Sequence, residues 1–251
     1  MEVAGFWVDP GDVGEAELVL RQGEAHHLAR SRRLGVGDQV EVLDGIGGFY
    51  RAQVEQIGKD EVVCQITARL PEWGESRVRL TLASALIKGQ RFDFVVEKAT
   101  EVGIARLQPL FCQRGVVRSG SATKMARWQR LALAAAKQCG RSRLPDLDAP
   151  GDLTPILAQL AATNDRILVA STGADQAPLR TCLDGPPVER VALLVGPEGG
   201  WSPTEEGQIR AAGGRAFCWG ARTLRADTAG VVLAALALHE AERLLEEAHG
   251  G

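Results

Sequence analysis

The chain has 251 residues, 45% of them hydrophobic and 24% charged, with a formal net charge of −3. That balance suits a chain with a real buried core and room for a small domain plus a larger one. It excludes a polycation, so any contact with nucleic acid must come from local basic clusters. Five cysteines (Cys64, Cys112, Cys139, Cys182, Cys218) are odd in number and never spaced as C-x-x-C, which argues against both a disulfide framework and a zinc site.

The opening stretch MEVAGFWVDP is acidic and lacks the basic-then-apolar layout of a signal peptide, so a cytoplasmic protein is expected. Glu24 to Leu34 is predicted helical and, counting Arg21, carries four basic groups with Arg30, Arg32 and Arg33. Such a cluster is either a solvated helix face or a footprint for a phosphate backbone, whose neutralisation releases counterions. His26 and His27 are neighbours and would point to different sides of a helix, which disfavours a shared metal. Gln39–Leu43, Phe49–Ile57 and Val62–Leu70 then read as short strands rich in Val, Ile and aromatics. They are separated by the turn-forming clusters Asp44-Gly45-Ile46-Gly47-Gly48 and Gly58-Lys59-Asp60. Meandering strands of this length predict a small β-barrel.

The polar, turn-prone Pro71-Glu72-Trp73-Gly74-Glu75-Ser76 is the expected boundary, giving domains 1–72 and 73–251. The second opens with a strand, Val78–Leu86. A helix over Phe92–Val102 follows, with Phe92, Val95, Val96 and Ala99 on one face and Gly103 as its C-cap. Arg106–Phe111 is a strand, and Ala122–Cys139 a helix with a buried stripe of Leu131, Ala134 and Ala135. Arg114, Arg118, Lys124, Arg127 and Arg130 make this region basic. Past the helix end, Arg141 and Arg143 are expected to extend from a loop, free to meet a partner. Thr154–Ala162 (helix), Arg166–Ala170 (strand) and Val191–Val195 (strand) continue an alternation that implies an α/β domain with a mostly parallel sheet. The longest apolar run, Val231 to Leu238, is far shorter than the roughly 20 residues a bilayer span needs, so no membrane partner is expected.

Two turns carry the chemistry. Gly196-Pro197-Glu198-Gly199-Gly200 follows an apolar strand and precedes Ser202-Pro203-Thr204-Glu205, a capping box with proline at the first helical position. Trp219 to Thr228 makes a second turn that opens the last helix. Each can lay main-chain N–H and C=O groups around one small polar ligand. The Walker and G-x-G-x-x-G spacings are absent, and Glu198 would repel a phosphate. A ligand with a positive charge, such as a sulfonium, fits better, although GPEGG alone also reads as a structural turn.

GPEGGWSPTE followed by LRADTA resembles the signature of the ribosomal RNA small subunit methyltransferase E family, in the SPOUT class. Lys88-Gly89, Glu97 to Gly103 and Pro109 resemble its central block. Arg127-Trp128 and Gln138 to Arg141 with Pro145 resemble the next, and His26, Leu34 and Gly37-Asp38 its N-terminal RNA-binding module. Trp219 stands where the family commonly has Leu, and Asp227 where it commonly has Glu. The resemblance implies a C-terminal trefoil-knotted α/β domain with a mostly parallel sheet and an N-terminal PUA-like β-barrel. It further implies a homodimer and methyl transfer from S-adenosylmethionine to N3 of a uridine in 16S ribosomal RNA, the partner being that RNA or the assembled 30S particle. A transfer RNA, another rRNA nucleotide, or RNA binding without activity are the alternatives.

On this resemblance the cofactor site comprises Ser171, Thr172, Val195, Gly196, Pro197, Glu198, Gly199, Gly200, Trp219, Gly220, Leu224, Arg225 and Thr228. Arg225 is the candidate for stabilising charge on the uracil oxygens, or else a loop brace. Glu198 and Asp227 are candidates to take the N3 proton, or else helix caps. No metal is expected. The RNA-binding set is Arg21, Arg30, Arg32, Arg33, Lys88, Arg91, Arg118, Arg141 and Arg143.

Overall fold

Alternating buried and exposed side chains shape the strands of the first of two units in a computed structural model that describes residues 5–117, 122–172 and 177–249. This unit runs to Glu75 and includes Leu133–Leu144. Its strands are β1 (Gly5–Trp7), β2 (Glu17–Arg21), β3 (Gln39–Leu43), β4 (Phe49–Ile57) and β5 (Glu61–Arg69), with helix α1 (Gln22–His26) after β2. The sheet order is β1-β3-β4-β5-β2, antiparallel except for the β1–β3 pair. All five strands send side chains into one core, among them Phe6, Leu18, Leu20, Val42, Val54 and Val62. The sheet is curled around this interior, with Ala25 and Leu28 of the helical segment packed into it. The β3–β4 turn is organised by the buried Asp44, which accepts from the Ile46 and Gly48 N–H groups (2.9 and 2.8 Å) and from the Tyr50 hydroxyl (3.0 Å).

The helix expected to reach Leu34 is shorter. After α1 the chain widens into a π-helical turn over His27–Ser31, where the Arg32 N–H bonds to the His27 carbonyl (2.9 Å), and Arg33 takes a positive φ of 57°. Packing sets this irregularity, because Leu28 is fully buried and the His27 ring rests 5.5 Å from Phe6.

The second unit, Ser76–Ala132 with Pro145 onward, holds the parallel sheet. Its elements in chain order begin with β6 (Arg79–Ala85), α2 (Arg91–Val102), β7 (Arg106–Phe111) and α3 (Ala122–Cys139, shared with the first unit from Leu133). The short strands β8 (Asp146–Leu147) and β9 (Gly151–Asp152) lead to α4 (Leu153–Thr163), β10 (Arg166–Ser171) and α5 (Leu179–Leu183). Last come β11 (Arg190–Val195), α6 (Pro203–Ala211), β12 (Arg215–Cys218) and α7 (Ala226–His249). The order is β12-β10-β11-β6-β7-β8, with β9 also on β7. Val191, Leu193 and Val195 face a core built with α2 and α7, while Ala192 and Leu194 face one built with α4 and α6. Burial on both faces is why β11 reads as a continuous apolar run.

Gly103 ends α2 with φ 101°, as its position requires. One residue of the stripe expected on α3 fails: Ala134 is exposed, whereas Ala135 is buried and Leu131 packs against the core, with Trp128, Ala132 and Ala136 completing the buried face. Trp128 anchors it, with its ring 4.8 Å from Phe92 and its N–H on Asp93 (2.9 Å). Among the described residues no helix is long and apolar enough to cross a membrane, and no cluster of His, Cys, Asp and Glu is arranged to hold a metal.

Burial separates the cysteines. Cys64 is fully buried in β5 and its thiol is pushed up to about 12 by desolvation, whereas Cys139 is exposed. Alkylation of the native protein at mildly alkaline pH should label Cys139 and spare Cys64 until denaturant is added. Equal labelling rates would show the β5 core to be open.

Candidate active site

Strands β12, β10 and β11 are neighbours, and their C-terminal ends lie side by side, with Ser171 in register with Cys218. In parallel sheets the crevice outside the carboxyl ends of the strands is where ligands bind. Here it is a cavity of about 730 Å³, within the usual range for small-molecule sites. Three segments wall it: Ser171-Thr172 after β10, Val195 to Trp201 after β11, and Trp219 with Arg222 to Leu224 after β12.

The β11 turn is held tightly. Gly200 has a φ of +69°, open to glycine, and its N–H bonds to the Pro197 carbonyl (2.8 Å). The capping box forms in full. Glu205 N–H donates to Ser202 Oγ (3.2 Å), and Ser202 N–H donates to Glu205 Oε2 (2.8 Å). Glu205 is only 2% exposed, and its other oxygen accepts from the Gln113 N–H (2.7 Å). Both carboxylate oxygens are therefore satisfied, which is what lets a charged group sit inside. Trp201 buttresses the turn from the core side. A Cβ at Gly196 would lie 3.0 to 3.3 Å from its indole ring, so only glycine fits that approach comfortably. The Trp201 Nε1 is buried and unpartnered among the described residues.

The structure brings together most of the cofactor residues expected from the sequence: Ser171, Thr172, Val195, Gly196, Pro197, Glu198, Gly199, Gly200, Trp219 and Leu224 all line the cavity. Gly220, Arg225, Asp227 and Thr228 are not among its walls. The last three organise the start of α7. Asp227 Oδ1 accepts from the Thr228 N–H and hydroxyl (2.8 and 3.2 Å), Asp227 Oδ2 pairs with Arg225 Nη2 (3.2 Å), and the Arg225 carbonyl accepts from the Ala229 N–H (2.7 Å). The Arg225 side chain remains 62% exposed, and Glu198 is paired with Arg91 (2.7 Å). Sequence reasoning did not place Arg114 or Arg210 at the cavity, and it put Trp201 and Arg222 in the two turns without naming them as cofactor residues. For Trp201 the signal was present, since it follows the turn directly.

The basic residues divide. Arg30, Arg32, Arg33 and Lys88 are exposed. Arg21 is held by Asp12 and Glu61, at 2.8 and 3.0 Å. Arg118 lies outside the described residues. The expectation that Arg141 and Arg143 extend freely fails. Arg141 is 3% exposed, with Nε and Nη2 on the two oxygens of Glu75 (3.2 and 2.6 Å). Arg143 is paired with Glu72 through Nε (2.7 Å) and Nη2. The loop after α3 is bent back onto the boundary segment, so its basic side chains meet acids there.

A model of an RNA methyltransferase domain matches residues 74–238, and one of an RNA methyltransferase PUA domain matches residues 20–67. The chain is 34% identical over 240 residues to ribosomal RNA small subunit methyltransferase E of Synechocystis, covering 95% of this chain and 77% of that one. The chain belongs to the ribosomal RNA small subunit methyltransferase E family. A second member of the family, from Mycobacterium bovis, is 30% identical over 236 residues, covering 90% of this chain and 88% of that one. Among solved structures, a family member from Neisseria gonorrhoeae bound to S-adenosylmethionine superposes with a TM-score of 0.80 at 26% identity, covering 94% of this chain and 96% of that one. A methyltransferase from Legionella pneumophila, also in complex with S-adenosylmethionine, gives 0.79 at 28%, covering 99% and 98%.

Proposed function

We propose that this protein transfers a methyl group from S-adenosylmethionine to N3 of a uridine in the 16S RNA of the small ribosomal subunit. In this reading it works in the cytoplasm as a homodimer, with its C-terminal segment threaded as a trefoil knot. The observation that carries the proposal is the convergence of three adjacent strand ends on one cavity, in a chain of this family.

The residues present fit the cofactor. The turn comes so close at Gly196 that a Cβ there would press on Trp201, while beside Gly200 and Gly220 there is open space. The β11 turn itself offers main chain and the acidic Glu198 to the cavity, which suits a ligand with a positive charge. When bound, S-adenosylmethionine supplies an electrophilic methyl group on a positively charged sulfur. Val195, Gly196, Pro197, Gly199 and Gly200 would hold it on one side, and Ser171, Thr172, Trp219 and Leu224 on the other.

Uridine N3 carries a proton and is a poor nucleophile until that proton leaves or the anion is stabilised. Arg225, oriented by Asp227, is assigned to the charge that develops on the uracil oxygens. Glu198, oriented by Arg91, and Asp227 are the candidate proton acceptors. Arg30, Arg32, Arg33 and Lys88 are assigned to RNA phosphates, and holding the base against the methyl supplies much of the rate.

Mapping small-subunit rRNA methylation at nucleotide resolution, with and without the protein, should show one uridine N3 methyl that depends on it. Methylation of a transfer RNA or of another rRNA nucleotide would overturn the substrate. Absence of heat on titration with S-adenosylmethionine would leave an RNA-binding relative without activity.

A further inference from the structure

The turn that walls the cavity is gripped by a segment distant in sequence. Arg114, in the connection between β7 and α3, donates through Nη1 to the carbonyls of Gly199 (3.2 Å) and Trp201 (3.0 Å). The backbone of the same connection lies against the turn: a Cβ at Gly199 would sit 3.3 Å from Arg114 Cβ and 3.6 Å from its carbonyl oxygen. The preceding residue, Gln113, gives its N–H to Glu205, the carboxylate of the capping box that closes the other end of the turn. The connection is itself a tight turn, with the Gly115 N–H on the Cys112 carbonyl (2.9 Å), so Arg114 leaves it in a set direction.

One guanidinium nitrogen bridging two carbonyls two residues apart fixes the Gly199–Gly200 and Trp201–Ser202 peptide planes, which flank the Gly200–Trp201 peptide. Both acceptors are neutral main-chain groups, and Arg114 is exposed, so the contact adds little to global stability. What it sets is the shape of the wall. We propose that Arg114 is a positioning residue for the cofactor, holding the Gly199–Trp201 backbone in the conformation that receives it. The proposal rests on the reading of the cavity as the S-adenosylmethionine site.

Amide hydrogen exchange in the cofactor-free protein tests the first half: Arg114→Ala should speed exchange at Gly200 while leaving α2 and β11 protected as in wild type. Calorimetric titration with S-adenosylmethionine tests the second. Arg114→Ala should weaken binding about tenfold, the effect of losing roughly one net hydrogen bond to a charged donor. Turnover at saturating cofactor should stay within about twofold and the melting temperature within about 2 °C, small shifts expected of a surface contact. Arg114→Lys, which can still reach a carbonyl, should recover most of the affinity. Unchanged cofactor affinity in Arg114→Ala would overturn the proposal, as would a fall in melting temperature that Arg114→Lys does not restore. Wild-type protein that takes up no cofactor would overturn the assignment of the cavity and the proposal with it, an outcome recognisable without any variant.

Discussion

Arg141→Ala is expected to cost about 3–5 kcal/mol of stability, the range for removing one partner of a buried ion pair. Glu75 would be left with its charge inside the protein: its side chain is 8% exposed, and Arg141 supplies a contact to each of its oxygens. The Ser142 hydroxyl (3.4 Å) and the Arg143 N–H (2.8 Å) remain, but neither carries positive charge. Denaturant unfolding is the measurement. Arg143→Ala gives the contrast, because its pair with Glu72 is largely exposed, at 37% and 54%, and such pairs contribute about 0–1 kcal/mol. The double variant Arg141→Ala, Glu75→Gln should regain part of the loss. A wild-type midpoint for Arg141→Ala would mean the side chain is free after all, and would restore it to the RNA face.

Glu205→Ala should cost about 2–4 kcal/mol, more than a helix cap alone. Losing a cap costs roughly 1 kcal/mol, and a hydrogen bond to a charged group contributes roughly 1.5–3 kcal/mol. Glu205 makes both contacts, to the Ser202 N–H within the cap and to the Gln113 N–H across the unit. Ser202→Ala removes only the hydroxyl half, so it should cost about 1 kcal/mol. The ordering of these two variants in a thermal melt decides the point. If Ser202→Ala proves as damaging as Glu205→Ala, the bond from Gln113 contributes nothing. Cofactor affinity should fall with Glu205→Ala, since one end of the turn at Gly196–Gly200 is released.

Much of this was legible in the chain because the signals are local. Gln39–Leu43, Phe49–Ile57 and Arg106–Phe111 show their strand character within themselves, and the capping box lies within four consecutive residues. β2 was missed although Glu17–Arg21 alternates and Asp9 to Gly14 and Gly23 bracket it with turn-forming residues, because only Leu18, Val19 and Leu20 in it are apolar. α5 and the two-residue strands β8 and β9 are too short to show a period. The misplaced Ala134 on α3 followed from counting alanines, which fit either face, where Trp128 was the informative residue. Long-range pairing was the hardest to see. Arg141 finds Glu75 66 residues away, and Arg114 finds Gly199 and Trp201 85 and 87 residues away. Composition near an arginine cannot reveal whether an acid will be folded against it.

Helix α3 belongs to the second unit through Ala132 and to the first from Leu133. The curled sheet therefore borrows part of its scaffold from downstream in the chain: Lys137 bonds to both oxygens of Glu24 at 2.7 and 2.9 Å, Leu144 N–H to the Gly45 carbonyl at 3.0 Å, and Arg141 to Glu75. A gene fragment ending at Glu75 would encode every strand of that sheet and still omit the cations that balance two of its carboxylates. The N-terminal module is thus not a portable cassette. Grafting it onto another enzyme would require carrying the far end of α3 along.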